Sequence, residues 1–369
     1  MPGLRQRAAA AAVLTLTLAL IAGCGGSSSS SGDDGGALGE ALAEVSTASS
    51  EPLTLTWVDT ERLREVADLP ASSEQALSEQ RWSLPVGLAA GSQLADQVAA
   101  TDYGFDPLAA DRTIEIGAPP DDATRYDGVD ADAVTAAFEE LGFEQSGDFL
   151  ALGDEGEIVP EALDEFGAGP VGLNRLAFEG DAFALGAYEE PVEAALGQTG
   201  EPVADLDGVA AATGCLGEDV FAAQIFDPAG AASEAVALAA VGLEAPASPT
   251  DVVPEIVCAI GTDGGSLDEV SRCMEGNFND GGLEPQTQQP YADILGKAEI
   301  EQGDSDGTPW VRASFEPPPS DPVGRVFQLV QTQALAAPLG ATSPEAALGG
   351  ATPEQAKALQ QQTEAACAG

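Results

Sequence analysis

The sequence predicts an α+β fold with mixed or antiparallel sheets and packed helices, on three observations. Apolar runs of strand length alternate irregularly with helical stretches, which argues against the strict β–α succession of a parallel doubly wound sheet. Residues 175–178 and 182–185 are two strand-like runs around Glu179-Gly180-Asp181, the pattern of a hairpin with a glycine-bearing turn. The stretch from Glu51 onward is also long enough for two cores.

Taken in order, residues 53–59 alternate as a half-buried strand, with Leu53, Leu55 and Trp57 on one face. A helix over 60–69 follows, closed by Pro70, and a second helical stretch covers 73–82. Short apolar runs at 113–116, 149–152 and 173–178 read as strands. In 130–141, Val134, Ala137, Phe138 and Leu141 recur at helical spacing and the pattern stops at Gly142. A helix over 191–196 completes this unit.

The second half repeats the style, with strands at 220–226, 235–243 and 256–260 and a helix over 267–275. Ser266 and Glu269 make a capping box for that helix. Strands at 298–301 and 310–315 and a helix over 325–335 follow. Residues 128–143 are faintly similar to 265–278, which points to two related subdomains. The expected boundaries are 51–205 and 206–337, with a Pro-, Gly- and Ala-rich tail over 338–369. Thr352, Pro353 and Gln355 open a short final helix that carries Cys367.

The N-terminus sets an address. Arg5 and Arg7 precede an apolar run over 8–21, too short for the roughly 20 residues of a membrane span, and small residues mark a cut. Ile21-Ala22-Gly23-Cys24 resembles the lipobox of bacterial lipoproteins, and the composition resembles actinobacterial proteins of that class. The resemblance implies that residues 1–23 are a signal peptide recognised through Ile21, Ala22 and Gly23. It implies that the Cys24 thiol carries a diacylglyceryl group, and that the mature chain hangs from the outer face of the cytoplasmic membrane. Residues 24–50, rich in Gly, Ser and Asp, read as a flexible tether. No later run has the length of a span, 235–243 coming nearest.

Charge and histidine exclude whole classes of function. The chain has 62 acidic and 13 basic side chains. Loss of Arg5 and Arg7 with the signal leaves 11 minus 62, or −51, which repels nucleic acid and anionic headgroups. Such a surface serves hydration and solubility. There is no histidine, so self-contained Ser-His-Asp, Cys-His and His-zinc sites are excluded. Neither a G-x-S-x-G elbow nor a phosphate-binding G-x-x-x-x-G-K-[ST] loop is present. The G-x-G-x-x-G letters at 167–172 lack the strand before and helix after that would make a dinucleotide site, and read as a loop. Carboxylate chemistry survives, needing two acids about 5–9.5 Å apart, and 62 candidates nominate no pair.

Of five cysteines, Cys24 is committed to lipid, and Cys215, Cys258, Cys273 and Cys367 form an even set in an exported domain, expected as disulfides. The preferred pairing is Cys258 with Cys273, from a strand to the helix after it, and Cys215 with Cys367. Metal ligation is disfavoured by the missing C-x-x-C spacing. Residues 261–266 lie between a strand and a helix start, where anions can bind, but Asp263 and Asp268 oppose a phosphate. Residues 277–282 and 304–307 have some letters of calcium loops without the ligand spacing, and read as turns. Trp57, Trp82 and Trp310 read as core anchors.

The reading is therefore a non-enzymatic, lipid-anchored binding or interaction domain of the cell envelope, with no cofactor, no metal and no nucleic acid. Its partners are the membrane, through lipid on Cys24, and an envelope protein or a small solute. A solute-binding lipoprotein that serves a transporter, with its site in a cleft between two lobes, is the alternative, and a carboxylate hydrolase the further one.

Overall fold

The computed structural model describes residues 36–48, 53–91, 94, 103–157, 174–228, 232–341, 357, 360–361 and 364–367. The fold is α+β. Twelve strands form one antiparallel sheet: β2 (Thr54–Asp59), β3 (Arg112–Ile116), β4 (Ala123–Asp127), β5 (Glu144–Ser146), β6 (Phe149–Ala151), β7 (Arg175–Glu179), β8 (Ala182–Gly186), β10 (Val220–Phe226), β11 (Val236–Glu244), β12 (Glu255–Gly261), β13 (Ala298–Ser305) and β14 (Thr308–Phe315). Their order across the sheet is β13-β14-β12-β11-β10-β2-β3-β4-β8-β7-β6-β5. Two further short strands, β1 (Ser46–Thr47) and β9 (Glu201–Pro202), pair with each other.

The expected ranges 51–205 and 206–337 meet inside this one sheet, because β2 and β10 are hydrogen-bonded neighbours. Outward from that pair the two halves have one strand order, β2-β3-β4-β8-β7 and β10-β11-β12-β14-β13. After the third strand of each half comes a helix, α5 (Ala131–Glu140) and α8 (Asp268–Asn279). These two helices carry the faint similarity of 128–143 to 265–278, so the similar segments occupy equivalent places in the topology.

Strand alternation sorts the core into two faces. Cross-strand partners Ala222, Val58, Thr113 and Tyr126 share one face, over which α2 (Thr60–Ala67), α4 (Ser83–Ala90), α5, α8, α9 (Tyr291–Leu295) and α10 (Arg325–Gln331) contribute to the apolar clusters. Partners Ala223, Trp57, Ile114 and Ala184, the last through Arg125, mark the other. There α1 (Gly36–Ala43), α6 (Glu189–Ala195) and α7 (Val209–Leu216) cover the sheet.

The structure departs from the sequence reading at several elements. Residues 24–50 are not all tether: α1 buries Leu38, Ala41 and Leu42, and Val45 is buried just after it, so folded structure is present from Gly36. The stretch 73–82 yields only the short α3 (Ser73–Ala76), and α4 lies beyond it with Pro85 in its first turn, where proline is tolerated. Helix α7 has no apolar stripe to detect, since six of its eight residues are buried. Strand β4 hides behind its polar letters. Its Arg125 pairs with Asp127 and Glu44 and donates to the carbonyls of Glu44 and Ala195, so a charged row is fully partnered inside the sheet.

The preferred cysteine pairing is corrected. Cys215 lies at disulfide distance from Cys258, and Cys273 from Cys367. The sheet itself forbids the other choice: Cys258 faces the α7 side with Ile256 and Ile260, whereas Cys273 sits on α8 across the sheet with Val270, Met274 and Phe278. Cys367 does pin the C-terminal segment, whose residues 364–367 are helical, but to α8 rather than α7.

Beside that link, a Cβ at Gly276 would run into the backbone of Ala366. Glycine to alanine inside a helix ordinarily gains up to about 1 kcal/mol. Here the close approach reverses the sign: Gly276→Ala is expected to lower the thermal midpoint and to increase thiol labelling of Cys273 and Cys367 under mild reduction. An unchanged or raised midpoint would refute the contact.

Candidate functional site

The loop joining α8 to α9 is closed by its own hydrogen bonds. Leu283 and Pro290 form an isolated bridge, Glu284 N–H donates to the Gln289 carbonyl at 2.8 Å, and Gln288 N–H donates to the Glu284 carbonyl at 2.9 Å. The buried Glu284 carboxylate accepts from the N–H groups of Gln286, at 3.0 Å, and Thr287. A short acidic side chain thus organises the loop from within, as capping groups do in turns.

Two contacts fix the loop against α10 and the turn after it. The Tyr291 hydroxyl donates to the Ala334 carbonyl, and Gln286 Nε2 donates to the Thr332 carbonyl at 3.3 Å. Burial, with the Glu284 charge as a lesser cause, pushes the Tyr291 phenol above its ordinary pKa and keeps it a donor.

Between this loop and α10 is a cavity of about 330 Å³, within the size range of small-molecule sites. Gln286, Thr287 and Gln289 line it from the loop, and Gln328, Leu329 and Thr332 from the helix and its end. Asp293 and Ile294 of α9 and Arg325 of α10 complete the wall. Arg325 is already engaged, pairing with Asp321 at 2.8 Å and donating to the Ile294 carbonyl. Across Leu329 lies a second, mainly apolar hollow of about 210 Å³ against Phe226, Pro228 and Leu335. Both draw their walls from the second half of the chain rather than from a cleft between halves.

The helix α10 that walls the cavity starts on a buried acid. Glu255, at the first position of β12 and 0 % exposed, accepts from the N–H groups of Gly324 at 2.8 Å and Val326 at 2.9 Å. Burial pushes its pKa up, and the backbone hydrogen bonds oppose that only in part. Asp59, the N-cap of α2, is also raised, chiefly by burial. Val58, Ala222, Leu243 and Glu255 form one cross-strand row. Asp59, next to Val58, is therefore about 14 Å from Glu255 across three strand spacings, outside the range of a glycosidase pair.

The other residues singled out from sequence have structural places. Cys24, Ile21, Ala22 and Gly23 lie outside the described residues, as does the glycine run at 167–172. In 261–266, Ser266 Oγ accepts from Asp268 N–H and Thr308 donates to Asp263. Residues 277–279 belong to α8, not a turn. The Asn277 amide donates to the Cys273 carbonyl, and Asn279 bridges both backbone groups of Ala298. Residues 304–307 do turn, with Asp306 and Gly307 at positive φ between β13 and β14. Trp57 and Trp82 are core residues, and Trp310 lies half-buried over Gly303.

Among the described residues no group of acids and cysteines could hold a metal ion, and no helix is long and apolar enough to cross a membrane. The cavity is not legible in the sequence because its walls come from two separate stretches, 284–294 and 325–332. The signal available was the crowding of glutamine at 286, 288, 289, 328, 331 and 333 in an otherwise acidic chain. No protein-family model, curated protein or solved structure matches this chain.

Proposed function

We propose that this chain is a non-enzymatic, lipid-anchored binding domain held at the outer face of the cytoplasmic membrane through Cys24. The observation that carries the reading is Ile21-Ala22-Gly23-Cys24 behind a basic start and an apolar run. Support comes from the four remaining cysteines, all in pairs at disulfide distance, an arrangement that suits an oxidising compartment. Two acyl chains make such attachment stable where one is marginal.

Within that reading, capture of a small solute is favoured by the cavity beside α10, and it is a local pocket of one half rather than a two-lobed cleft. The test of the anchor is Cys24→Ala in the native host. The variant is expected to accumulate as uncleaved precursor that takes up no labelled fatty acid. Normal processing with full membrane retention would refute the anchor.

A further inference from the structure

We infer that the cavity between the 283–290 loop and α10 takes an uncharged, polyhydroxylated solute of monosaccharide size, a sugar or cyclic polyol. The inference rests on the binding-domain reading and names the ligand class of its pocket.

Hydrogen-bonding capacity decides the class. Each ionised group in the wall except one is already used: Glu284 by loop N–H groups, and Arg325 by Asp321 and the Ile294 carbonyl. Apart from that one, Asp293, what is left is neutral. The side-chain amides of Gln289 and Gln328 have no partner among the described residues, and each offers two donors and an acceptor. Gln286 spends Nε2 on Thr332 and keeps its carbonyl oxygen. Donors and acceptors side by side, on planar groups, match vicinal hydroxyls, each of which both donates and accepts.

Shape agrees with this. Ile294 and Leu329 give an apolar wall for the C–H face of a ring. At about 30 Å³ per water in the liquid, a cavity of about 330 Å³ holds the equivalent of about eleven waters, more than the bulk of a single hexose, so a monosaccharide fits with several waters beside it. The loop is preorganised by Glu284, so little ordering accompanies binding. The wall contains no aromatic ring to stack on a sugar, so affinity is expected at about the millimolar level, as for a ligand of a dozen atoms held by modest contacts.

An anion is disfavoured by Asp293 and by the net charge of −49, and the engaged Arg325 does not offset them. A cationic amine is the competing ligand, and it would depend on Asp293 rather than on the amides.

The test uses the full chain in mild detergent, with glucose, myo-inositol and putrescine as probes, read by saturation-transfer NMR and titration calorimetry. Glucose or myo-inositol is expected to bind. Gln289→Leu with Gln328→Leu should weaken that binding at least about tenfold, the equivalent of one good hydrogen bond. Both positions are exposed, so the thermal midpoint should not move. Asp293→Asn should change sugar affinity less than about threefold.

No neutral probe bound at tens of millimolar (about tenfold above the expected constant), or binding indifferent to the glutamine pair, would overturn the inference. Putrescine bound alone and lost in Asp293→Asn would reassign the pocket to cations. Fatty-acid labelling at Cys24 is scored separately: intact labelling with no sugar binding removes the ligand class and leaves the anchor, and the reverse result removes the anchor alone.

Discussion

Replacing Cys215 and Cys258 together by serine is expected to lower the unfolding free energy by about 4 kcal/mol or more in urea. The link closes a loop spanning 43 residues, worth about 4 kcal/mol in the chain-entropy description. Both sulfurs are fully buried between α7 and β12, so two serine hydroxyls would enter an apolar site at about 1–3 kcal/mol each if unpartnered. A loss below about 1 kcal/mol would show that the link is not formed or that the site relaxes freely. Non-reducing peptide mapping gives the complementary check. Fragments joined as 215–258 and 273–367 are expected, and a 258–273 fragment would contradict the placement of α8 and α7 on opposite faces.

Loop length alone ranks the second link higher, since Cys273 and Cys367 are 94 residues apart. The fold argues for the reverse order. Once Cys273→Ser frees the C-terminal segment, that half-exposed segment can leave α8 and regain freedom in the native state too. The entropy returned to the unfolded chain is then partly matched. No such release is open to α7, which is buried over the sheet.

Glu255→Ala is expected to cost about 2–4 kcal/mol and to loosen the start of α10, because it leaves two buried N–H groups without acceptors. Glu255→Gln separates the charge from the hydrogen bonds. An amide cannot accept at both positions, so one N–H meets an NH₂ group, for about 1–3 kcal/mol.

The pH dependence has a definite sign. Burial raises the folded-state pKa of Glu255 above its ordinary value of 4.5, so the folded protein holds the proton more tightly than the unfolded chain. The stabilisation tied to that proton is complete below pH 4.5 and is lost as pH rises through the raised folded value. Wild type should therefore exceed Glu255→Gln in stability by most at acid pH, with the gap narrowing upward from there. Referencing to the variant cancels the other carboxylates. A gap that widens as pH rises would contradict the assigned direction.

The same acid shows where reading by letters stops. Glu255 stands at the start of a strand run that was legible as 256–260, and nothing local distinguishes it from the chain's many solvated acids. Its role depends on α10 arriving 69 residues later. The amide-lined cavity has the same character, since Gln289 and Gln328 meet only because α9 and α10 share one face of the sheet.

Local chemistry was enough for much else. Local pattern placed 220–226 as β10 to the residue and found α2, α5, α8 and the β7–β8 hairpin within a few residues, because the helices bury one stripe and the strands, β8 buried at every position, read as short apolar runs. It failed at α7 and α1, whose small apolar residues carry little amphipathic signal, and at β4, whose charges are satisfied only by distant partners. The α+β class, the helices with a clear stripe, the apolar strand runs and the even set of cysteines are legible in the letters. The order of the twelve strands, the pairing of the cysteines and the pocket come from the packed chain alone. The physical reason is the same for all three: a sheet separates what it does not pair, and which side a helix takes is settled by the burial of the whole chain.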